Sequence, residues 1–363
     1  MKICFLCRGF SSNGGIGRVI AILSDKLADC FDVYLLSFCS EEAPSYYDVN
    51  PKCKQDKLFS APVSMTKALV FKQAINKLSV YLIKHNIDII IASGALFFPL
   101  AILAAKKAGI KCICWEHTSP NNKNDYKFQD LARMFGARRS DINVVLTQSA
   151  KIVYQTRFPK AKTVQIYNPI DPFLLNNICD YNSLSRKIIS VGRLRPQKNF
   201  SRLLDIAAEV LKDSPDWEWD VFGDGPLRLE LERKRDLLEL EGRVHFRGQV
   251  SDLYKRYRDY SLMVMTSDYE GFPMTLLEGA ANALPLVAFD VPTGPNEIII
   301  DGKNGFLCKN GNNIEMINDI KTLMSNLELR SEFSENSRAT ASLFEVESIC
   351  KQWNQLLKQV IAD

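Results

Sequence analysis

Three cations follow a short apolar run in the second half of the chain. Arg193, Arg195 and Lys198 come directly after "RKIISV", whose β-branched residues are typical of a buried strand. Asn199 then precedes the helical pattern "FSRLLDIAAEVL", where it could cap the helix. The end of a strand and the start of a helix favour anions, because free backbone amides and the helix dipole meet there. Arginine and lysine add charge-assisted hydrogen bonds, so a phosphate group is the natural partner, although a solvated basic turn has the same composition.

Two glutamates follow another strand pattern. In "TSDYEGFPMTLLEGAANALPLVAFD", Glu270 lies in a turn beside Gly271, and Glu278 lies on the helix that follows. The glycine lets the backbone come close to a ligand, and a carboxylate such as Glu278 can accept hydrogen bonds from a ribose diol. The free amides after the turn would point at an anion, and they belong to Phe272, Met274 and Thr275.

The elements that must position these residues alternate between strand and helix patterns. Strands are predicted at "KICFLC", "DVYLLSF", "IDIIIAS", "KCICWE" and "INVVLT", and then at "KIISV", "WEWDVF", "RVHF", "LMVMT", "LPLVAF" and "GFLC". Helices are predicted between them, including 17–28, 67–85, 100–108, 201–212 and 227–240. This α/β pattern predicts two facing, Rossmann-like, doubly wound parallel sheets, with a ligand at the carboxyl ends of the strands in the cleft between them.

The expected domain boundary lies in an aperiodic segment rich in Asn and Pro, "YNPIDPFLLNNICDYNSLSR". We expect an N-terminal domain at 1–169, a linker at 170–185 and a C-terminal domain at 186–344. The final helical pattern, about 345–363, keeps apolar residues at helical spacing, so it must cover a core face.

Composition indicates a soluble globular protein in a reducing compartment. The 363 residues are 46% hydrophobic and 24% charged, and the ten cysteines are scattered through apolar runs such as "MKICFLC". Cys4 and Cys7 form a CxxC, but no second Cys or His pair stands at zinc spacing. No signal peptide opens the chain, and the longest uncharged stretch, 89–105, is short for a membrane span and is broken by Gly94 and Pro99. The expected location is therefore the cytoplasm.

The charge is unevenly distributed. Residues 1–169 carry 23 Lys and Arg against 12 Asp and Glu, a net charge of +11, and the remainder carries 23 against 30, a net charge of −7. Basic residues of the first half cluster at Lys67, Lys72, Lys77 and Lys84, and at Arg133, Arg138 and Arg139. This lobe could dock on an anionic membrane surface, which would place the protein at the inner face of the cell membrane; a solvated helix face is the alternative. No recognition motif for nucleic acid accompanies the patch.

The motifs together resemble the retaining nucleotide-sugar glycosyltransferases of family 4, which have the GT-B architecture of two Rossmann-like domains. The resemblance implies that the N-terminal domain binds the acceptor, that the C-terminal domain binds the nucleotide-sugar donor, and that the final helix, about 345–363, packs back on the N-terminal domain. The resemblance covers most of the chain and is most specific in the second half, where EGFP and the Glu-x7-Glu spacing occur together. The motifs that carry it are "SNGGIGR", "WEHTSP", "VQIYNPID", "SVGRLRPQKNF", "DVFGDGP", "GRVHFRGQV", "SDYEGFPMTLLEGAANALPLVAFDVPTGPNEII" and "GKNGFL".

The resemblance implies a role for each site residue. Arg193 and Lys198 would hold the donor diphosphate, Glu278 the ribose, and Glu270 the transferred sugar. His117 would stand near the reacting sugar or the acceptor, although a core histidine is the other interpretation. The remaining donor contacts would come from Gly15, Gly17, Gly192, Arg247, Val250, Gly271, Phe272, Pro273, Met274 and Thr275. Gly15 and Gly17 also fit an ordinary tight turn, because Ile20 replaces the third glycine of GxGxxG.

The chemistry implied is sugar transfer from a nucleotide to a saccharide acceptor, with lipid-linked acceptors expected. Breaking the anomeric bond places negative charge on the departing diphosphate, so preplaced cations stabilise the transition state. No DxD pair follows the strands of the expected cleft, so neither a metal nor another cofactor is expected. Retention follows from the family resemblance. "DVPTGPNEII" resembles members that act in bacterial surface-polysaccharide biosynthesis, which implies a UDP-linked hexose or N-acetylhexosamine as the donor.

Three other functions share parts of the pattern. A nicotinamide-dependent oxidoreductase would need an intact GxGxxG, which neither "GGIGRVI" nor "GDGPLR" completes. A nucleotide-sugar hydrolase or epimerase of the same fold would release free sugar or an epimer. A noncatalytic nucleotide-sugar binding protein would bind without turnover.

Overall fold

The computed structural model of the chain describes residues 1–10, 14–39, 47–63, 68–120, 127–176 and 181–362. It divides into two compact units, each built on one parallel sheet. Unit 1 comprises Met1–Pro169 and Val346–Asp363, and unit 2 comprises Ile170–Glu345.

The first part of unit 1 alternates strands and helices: β1 (Lys2–Cys7), α1 (Gly15–Leu27), β2 (Asp32–Cys39), β3 (Lys54–Phe59), α2 (Ala68–Lys84), β4 (Ile89–Ser93), α3 (Phe98–Ala108), β5 (Lys111–Trp115), α4 (Lys127–Arg139), β6 (Ile142–Val145), α5 (Gln148–Arg157) and β7 (Thr163–Gln165). The strands are parallel and lie in the order β3-β2-β1-β4-β5-β6-β7. One face of the sheet packs on α2 and α3 through residues such as Leu6, Ile90 and Phe98.

Unit 2 repeats this plan: α6 (Pro172–Asn176), β8 (Lys187–Val191), α7 (Phe200–Leu211), β9 (Glu218–Phe222), α8 (Arg228–Leu237), β10 (Val244–Gly248), α9 (Leu253–Arg256), β11 (Leu262–Met265), α10 (Met274–Ala281), β12 (Leu286–Asp290), α11 (Pro295–Ile298), β13 (Gly305–Lys309), α12 (Asn313–Ser325) and α13 (Leu327–Ala341). Its parallel strands lie in the order β10-β9-β8-β11-β12-β13. Leu203, Trp219 and Val264 belong to its core. Short 3₁₀ turns occur at Ala95–Phe97, Pro196–Lys198, Tyr257–Asp259 and Ser342–Phe344.

The last helix, α14 (Val346–Ala362), belongs to unit 1. The apolar side chains that its spacing predicted to be buried are buried, which confirms that prediction: Val346, Ile349, Trp353, Leu356, Leu357 and Val360. The ring of Trp353 meets that of Trp115 on β5 edge-on, with the centroids 4.8 Å apart. Lys26 on α1 and Glu347 form an ion pair of 3.0 Å at the start of the helix.

Two strands were not predicted. β3 and β7 lie at the two edges of the first sheet. The first four residues of β3 are exposed, and β7 has three half-buried residues, so neither strand carries the apolar run of a central parallel strand.

Polar contacts set several element boundaries. The predicted strand "INVVLT" ends at Val145, because Thr147 caps α5 and accepts a hydrogen bond from the amide of Ala150 at 3.0 Å. The predicted cap at Asn199 is confirmed, since its Oδ1 accepts from the Arg202 amide at 3.2 Å. Helix α8 ends at Leu237, shortly before Glu239 adopts a left-handed φ of 55°.

The segment predicted as a linker belongs to unit 2 and makes several contacts within it. The amide of Ile170 donates to the carbonyl of Phe344 at 2.9 Å. The hydroxyls of Tyr181 and Ser185 donate to the carbonyls of Ser261 and Asp259, both at 2.6 Å. Residues 177–180 lie outside the described part. Within the described residues, no helix combines the length and apolar character needed to cross a bilayer.

The strand order changes direction at one place in each sheet. The chain runs outward from β1 to β3 and then returns to pair β4 with β1, and unit 2 does the same with β8 and β11. Parallel sheets of this kind bind ligands beyond the carboxyl ends of the strands at this topological switch point. The switch points are therefore the places to look for a site.

Candidate active site

The switch point of unit 2 brings the two predicted motifs together. The chain leaves β8 at Val191 and enters "GRLRPQK", and it leaves the neighbouring strand β11 at Met265 and enters "TSDYEG". Lys198 and Glu270 meet there, with Nζ and Oε1 at 2.6 Å. The side chains are only 17% and 7% exposed, so the ion pair is largely shielded from water.

Backbone and side-chain hydrogen bonds lock the two turns together around this pair. The amide of Asp268 donates to the Gln197 carbonyl at 2.9 Å, and the Gln197 side chain donates to the Tyr269 carbonyl at 2.9 Å. The Asn199 side chain donates to Asp268 Oδ1 at 2.9 Å while its own oxygen caps α7. The two sequence neighbours of Lys198, Gln197 and Asn199, are therefore both bonded to the turn that carries Glu270.

Glycine is required where the β8 and β9 turns cross. Gly223 has a φ of 122°, and a Cβ atom there would lie 2.0 Å from the Gly192 carbonyl oxygen. The aliphatic part of Lys198 passes over Gly192, where a Cβ would lie 3.2 Å from Cδ. Gly192 therefore has a packing reason as well as the predicted ligand contact. The sequence predicts no role for Gly223 itself, although its motif "DVFGDGP" contributes to the family resemblance.

The Glu270 turn is held by the segment after β12. Thr293 donates from its amide to the Glu270 carbonyl at 2.9 Å and from its hydroxyl to the Gly271 carbonyl at 2.9 Å. Gly294, with a φ of 102°, packs so closely that a Cβ would lie 2.7 Å from Cδ of Pro273. Neither Thr293 nor Gly294 was predicted, because the contacts join segments more than twenty residues apart.

Helix α10 begins directly after this turn. Phe272 is buried and its ring lies 5.4 Å from that of Phe344, so its side chain belongs to the core. Met274 and Thr275 are the first residues of the helix, and the first amides of a helix have no carbonyl partner within it. Those amides can serve an anion, as predicted for this turn.

Glu278 is more enclosed than the sequence indicated. It is 4% exposed on α10, and Tyr257 donates its hydroxyl to Oε2 at 2.9 Å. The ribose contact stays a prediction, and a ribose would have to share this carboxylate with Tyr257. No local pattern marks Tyr257 as its partner, since the residues lie on separate elements.

Arg247 lies near the end of β10 and Val250 follows that strand, which is two strands away from β8 and so about 10 Å from it. Arg247 donates from Nε to Asp220 on β9 at 2.9 Å, and the buried Asp220 also accepts from the Tyr260 hydroxyl at 2.6 Å. These side chains line a groove of about 480 Å³. Val250 is half-buried in the turn that follows.

Arg193 is exposed in the turn after β8. Its backbone carbonyl accepts from the amide of Arg195 at 2.7 Å, which gives the turn a tight shape. Arg193, Gly192, Lys198, Glu270 and Gly271 are therefore the predicted residues that share the switch point.

In unit 1 the predicted glycines lie after β1, at the other switch point. Gly15 begins α1, and a Cβ there would meet no described heavy atom within 4 Å. Gly17 is packed, since a Cβ would lie 3.3 Å from the ring of Tyr47. The Tyr47 hydroxyl also accepts from the Gly14 amide at 2.7 Å and donates to its carbonyl at 2.8 Å. Of these two glycines, Gly15 is therefore the one that no described atom crowds.

His117 follows β5, two strands from β1. Its ring lies 4.2 Å from that of Trp115, and burial lowers its pKa to about 3, so the imidazole is neutral at physiological pH. Nε2 is buried and has no hydrogen-bond partner among the described residues. A neutral imidazole can donate or accept one hydrogen bond at this atom.

Comparison with known proteins gives consistent matches over both units. The family model "Glycosyltransferase Family 4" matches residues 13–173, and "Glycosyl transferases group 1" matches residues 181–340. The chain is 32% identical to the amylovoran biosynthesis glycosyltransferase AmsD of Erwinia amylovora, over 98% of this chain and 99% of that protein.

Among the solved structures with the same fold are two that match at low sequence identity. A variant of S. aureus TarM, in complex with fondaparinux, alpha-GlcNAc-glycerol and UDP, matches with a TM-score of 0.84 and 16% identity over 98% of this chain and 99% of that one. Anabaena HepE in complex with UDP-glucose matches with a TM-score of 0.82 and 20% identity over 99% and 100%.

Proposed function

The chain belongs to the glycosyltransferases of the GT-B fold, and on that premise we propose that it moves a hexose or N-acetylhexosamine from a UDP-sugar to a saccharide acceptor with retention of anomeric configuration. The observation that carries this proposal is the Lys198–Glu270 pair at the switch point of unit 2. A nucleotide sugar has a diphosphate, to which a cation can donate charge-assisted hydrogen bonds, and sugar hydroxyls, from which a carboxylate can accept them.

UDP is the proposed nucleotide because related folds are known with it. TarM has been solved with UDP and HepE with UDP-glucose. AmsD acts in amylovoran biosynthesis, which supports a role in the synthesis of a surface polysaccharide.

The proposed reaction breaks the bond between the anomeric carbon and the diphosphate oxygen and forms a bond from that carbon to an acceptor hydroxyl oxygen. The electron pair of the broken bond leaves with the diphosphate, where Arg193 and Lys198 stabilise the new negative charge. The departing phosphate oxygen takes the proton of the acceptor hydroxyl, on the same face of the sugar. Glu270 hydrogen-bonds the transferred sugar and Glu278 the ribose, and His117 hydrogen-bonds the sugar or the acceptor.

These cations can supply the charge stabilisation that a metal ion gives in other transferases. Metal independence is therefore part of the proposal. The described residues contain no cluster of three or more His, Cys, Asp or Glu side chains that could hold a metal ion.

The acceptor is proposed to be lipid-linked, because unit 1 offers a surface suited to an anionic bilayer. Helix α2 has no acidic residue, and Leu69, Val80 and Ile83 are 70%, 62% and 56% exposed. Exposed lysines lie among them at Lys72, Lys77 and Lys84. Lys67 lies outside the described residues, and Arg133 of the second basic cluster is 0% exposed, so it cannot contribute to this surface. Exposed apolar side chains flanked by lysines are typical of helices that bind membrane surfaces from one side.

A donor panel tests the central proposal. Purified protein is incubated with UDP-, GDP- and ADP-sugars, with and without a lipid-linked saccharide, and the products are identified by mass spectrometry and by NMR of the anomeric proton. We expect acceptor-dependent release of UDP, a product that keeps the donor's anomeric configuration, and unchanged activity in excess EDTA.

Each alternative gives a different result. Free sugar without acceptor product would indicate a hydrolase, and a changed nucleotide sugar would indicate an epimerase. A rise in the melting temperature with UDP-sugar but no product with any acceptor tested would indicate a binding protein. Loss of activity in EDTA with rescue by manganese would contradict metal independence.

A further inference from the structure

A buried ion-pair network lies immediately beside His117 in unit 1. Arg133 on α4 is 0% exposed and donates from Nε to Oε2 of Glu116 at 2.7 Å. The Thr118 hydroxyl accepts a hydrogen bond from Arg133 Nη2 at 2.6 Å and donates one to Glu116 Oε1 at 2.7 Å. Tyr154 on α5 donates to Glu116 Oε2 at 3.2 Å. Both carboxylate oxygens of Glu116 are therefore occupied.

The network holds the backbone as well as the side chains. The amide of Glu116 donates to the Val144 carbonyl on β6 at 2.8 Å, which extends the β5–β6 ladder by one residue. The amide of Thr118 donates to Glu116 Oε1 at 3.1 Å, so the chain turns sharply after His117. The residues on either side of the histidine are thus fixed by four elements: β5, β6, α4 and α5.

A gain in folding stability does not by itself account for a buried ion pair at this place. Removing an arginine and a glutamate from water is unfavourable, and apolar residues of similar volume often stabilise a core as well or better. A buried pair does impose a single geometry, because each partner must meet the other with correct hydrogen bonds.

The backbone geometry at residues 116–118 sets the direction of the His117 side chain, because successive side chains of an extended segment point to opposite sides. Glu116 and Thr118 point to the same side, where Arg133 lies, and the side chain between them points to the other side, against Trp115. There its Nε2 has no partner among the described residues. No described residue fixes the orientation of the His117 ring by a hydrogen bond. The orientation of the ring therefore depends on the position of the backbone at residues 116–118.

We propose that Arg133, Thr118 and Tyr154 are positioning residues that hold Glu116 and thereby orient the half-buried imidazole of His117 towards a hydroxyl of the reacting sugar or of the acceptor. The inference rests on the proposed function for the identity of that hydroxyl, and it adds three residues to the machinery. It does not require that any of the three touch the substrate.

A double-mutant cycle between Thr118 and His117 provides the first test. Thr118→Val removes the hydroxyl at the same size and at an exposed residue, whereas Arg133→Met could disturb folding. We expect Thr118→Val to lower kcat about tenfold with little change in donor KM, and Thr118→Ser to restore it. In the His117→Ala background, Thr118→Val should add less than about a twofold loss, because the residue to be aimed is gone.

The matched control is Thr156→Val on α5, where the lost hydroxyl only donates to the Ile152 carbonyl one helical turn away. It should leave kcat unchanged. An equal loss from Thr118→Val with and without His117, or no loss at all, would overturn the proposal. If His117→Ala has normal kcat while the wild type transfers sugar, the role of His117 fails and the proposed enzyme function stands.

A second readout does not depend on activity. The chain has three histidines, His85, His117 and His245, so their imidazole NMR signals can be followed in histidine-labelled protein. Wild-type His117 should stay neutral well below pH 6, because burial lowers its pKa to about 3. Thr118→Val and Tyr154→Phe should move the pKa of His117 up towards the ordinary value of about 6.5 as the ring gains access to water. A His117 titration identical in all variants would contradict the positioning role.

Discussion

At the residue scale, Lys198 and Glu270 illustrate how one contact can serve both stability and chemistry. Each side chain neutralises the other where both are largely buried, so neither is an isolated buried charge. When a diphosphate arrives, the ammonium gains a second anionic partner without having to be ordered first. The pair is therefore a preorganised cation whose direction is already set.

Removing Lys198 should affect stability and turnover separately. Lys198→Ala leaves Glu270 unpaired, although its side chain is only 7% exposed. We therefore expect the unfolding free energy to fall by up to about 3 kcal/mol, with a lower melting temperature. We also expect kcat to fall at least about a hundredfold. Adding Glu270→Gln removes the unpaired charge, which should restore the melting temperature but not kcat. Thermal melts and steady-state kinetics measure both.

Arg193→Ala gives a comparison at an exposed residue of the same turn, where stability should not change and kcat should also fall about a hundredfold. Lys212→Ala, at an exposed lysine just beyond α7, is the control and should alter neither quantity. Near-normal turnover in both Lys198→Ala and Arg193→Ala would remove the diphosphate role from these cations.

His117 should make stability depend on pH. Its pKa is lowered to about 3 by burial, below the ordinary value of about 6.5 in the unfolded chain, so the unfolded state binds more protons between these values. The stabilisation is complete above about pH 6.5 and is lost as the pH falls, by at most about 1.4 kcal/mol per pH unit from this group.

Melting temperatures at about pH 7.5 and pH 5 measure this effect against a His117→Gln variant, which cannot titrate there. The wild type should lose more melting temperature than the variant between the two conditions. Parallel losses would mean that the His117 imidazole is protonated as easily in the folded state as in the unfolded chain.

At the element scale, helix α14 is held in unit 1 by a few large contacts. Trp353 is 0% exposed and packs on Trp115, and Lys26 pairs with Glu347 at the surface. Burial of a tryptophan contributes far more than an exposed ion pair, which is usually worth 1 kcal/mol or less. The tryptophan contact should therefore decide whether the helix stays docked.

Trp353→Ala should destabilise the protein by about 3 to 5 kcal/mol, because it removes the transfer energy of the ring and leaves a cavity. Ile361→Ala on the same helix is the control, since Ile361 is 45% exposed and its loss should change stability by less than about 0.5 kcal/mol. Truncation from Cys350 onward should be at least as damaging as Trp353→Ala. Equal melting temperatures for Trp353→Ala and Ile361→Ala would argue against docking through the tryptophan.

At the scale of the whole molecule, the charge is divided between the two halves of the chain. The net charge is +11 over residues 1–169 and −7 over the rest, and the exposed face of α2 adds apolar side chains to the basic half. Each lysine close to an anionic leaflet contributes about 1 kcal/mol, so several are enough for reversible docking.

Liposome flotation checks the docking of unit 1. Binding should require anionic lipid, weaken with salt, and fall when Lys72, Lys77 and Lys84 are changed to Glu or when Val80 and Ile83 are changed to Ser. The matched control changes three exposed lysines of unit 2, Lys212, Lys255 and Lys303, to Glu, which alters the net charge equally and should leave binding intact. Equal recovery with neutral and anionic vesicles, or the same loss in both triple variants, would contradict a specific surface.

The sequence by itself determined the class of fold, most of the elements and the motifs of the site. Periodic apolar patterns report burial one element at a time, so the central strands, the amphipathic helix α14 and the cap at Asn199 could all be predicted locally. The motifs around Lys198 and Glu270 were visible as residues that follow strands. Edge strands such as β3 were missed because half of the pattern that marks a buried strand is absent there.

Only the tertiary structure decided which of these residues meet. The pairing of Lys198 with Glu270 depends on β11 lying next to β8, and the enclosure of Glu278 by Tyr257 and of Glu116 by Arg133 depends on helices and loops that pack from elsewhere in the chain. Such contacts join residues with no fixed spacing in the sequence, so no local period encodes them. They follow from the order in which a parallel sheet brings its strands together, which places the ends of distant segments side by side.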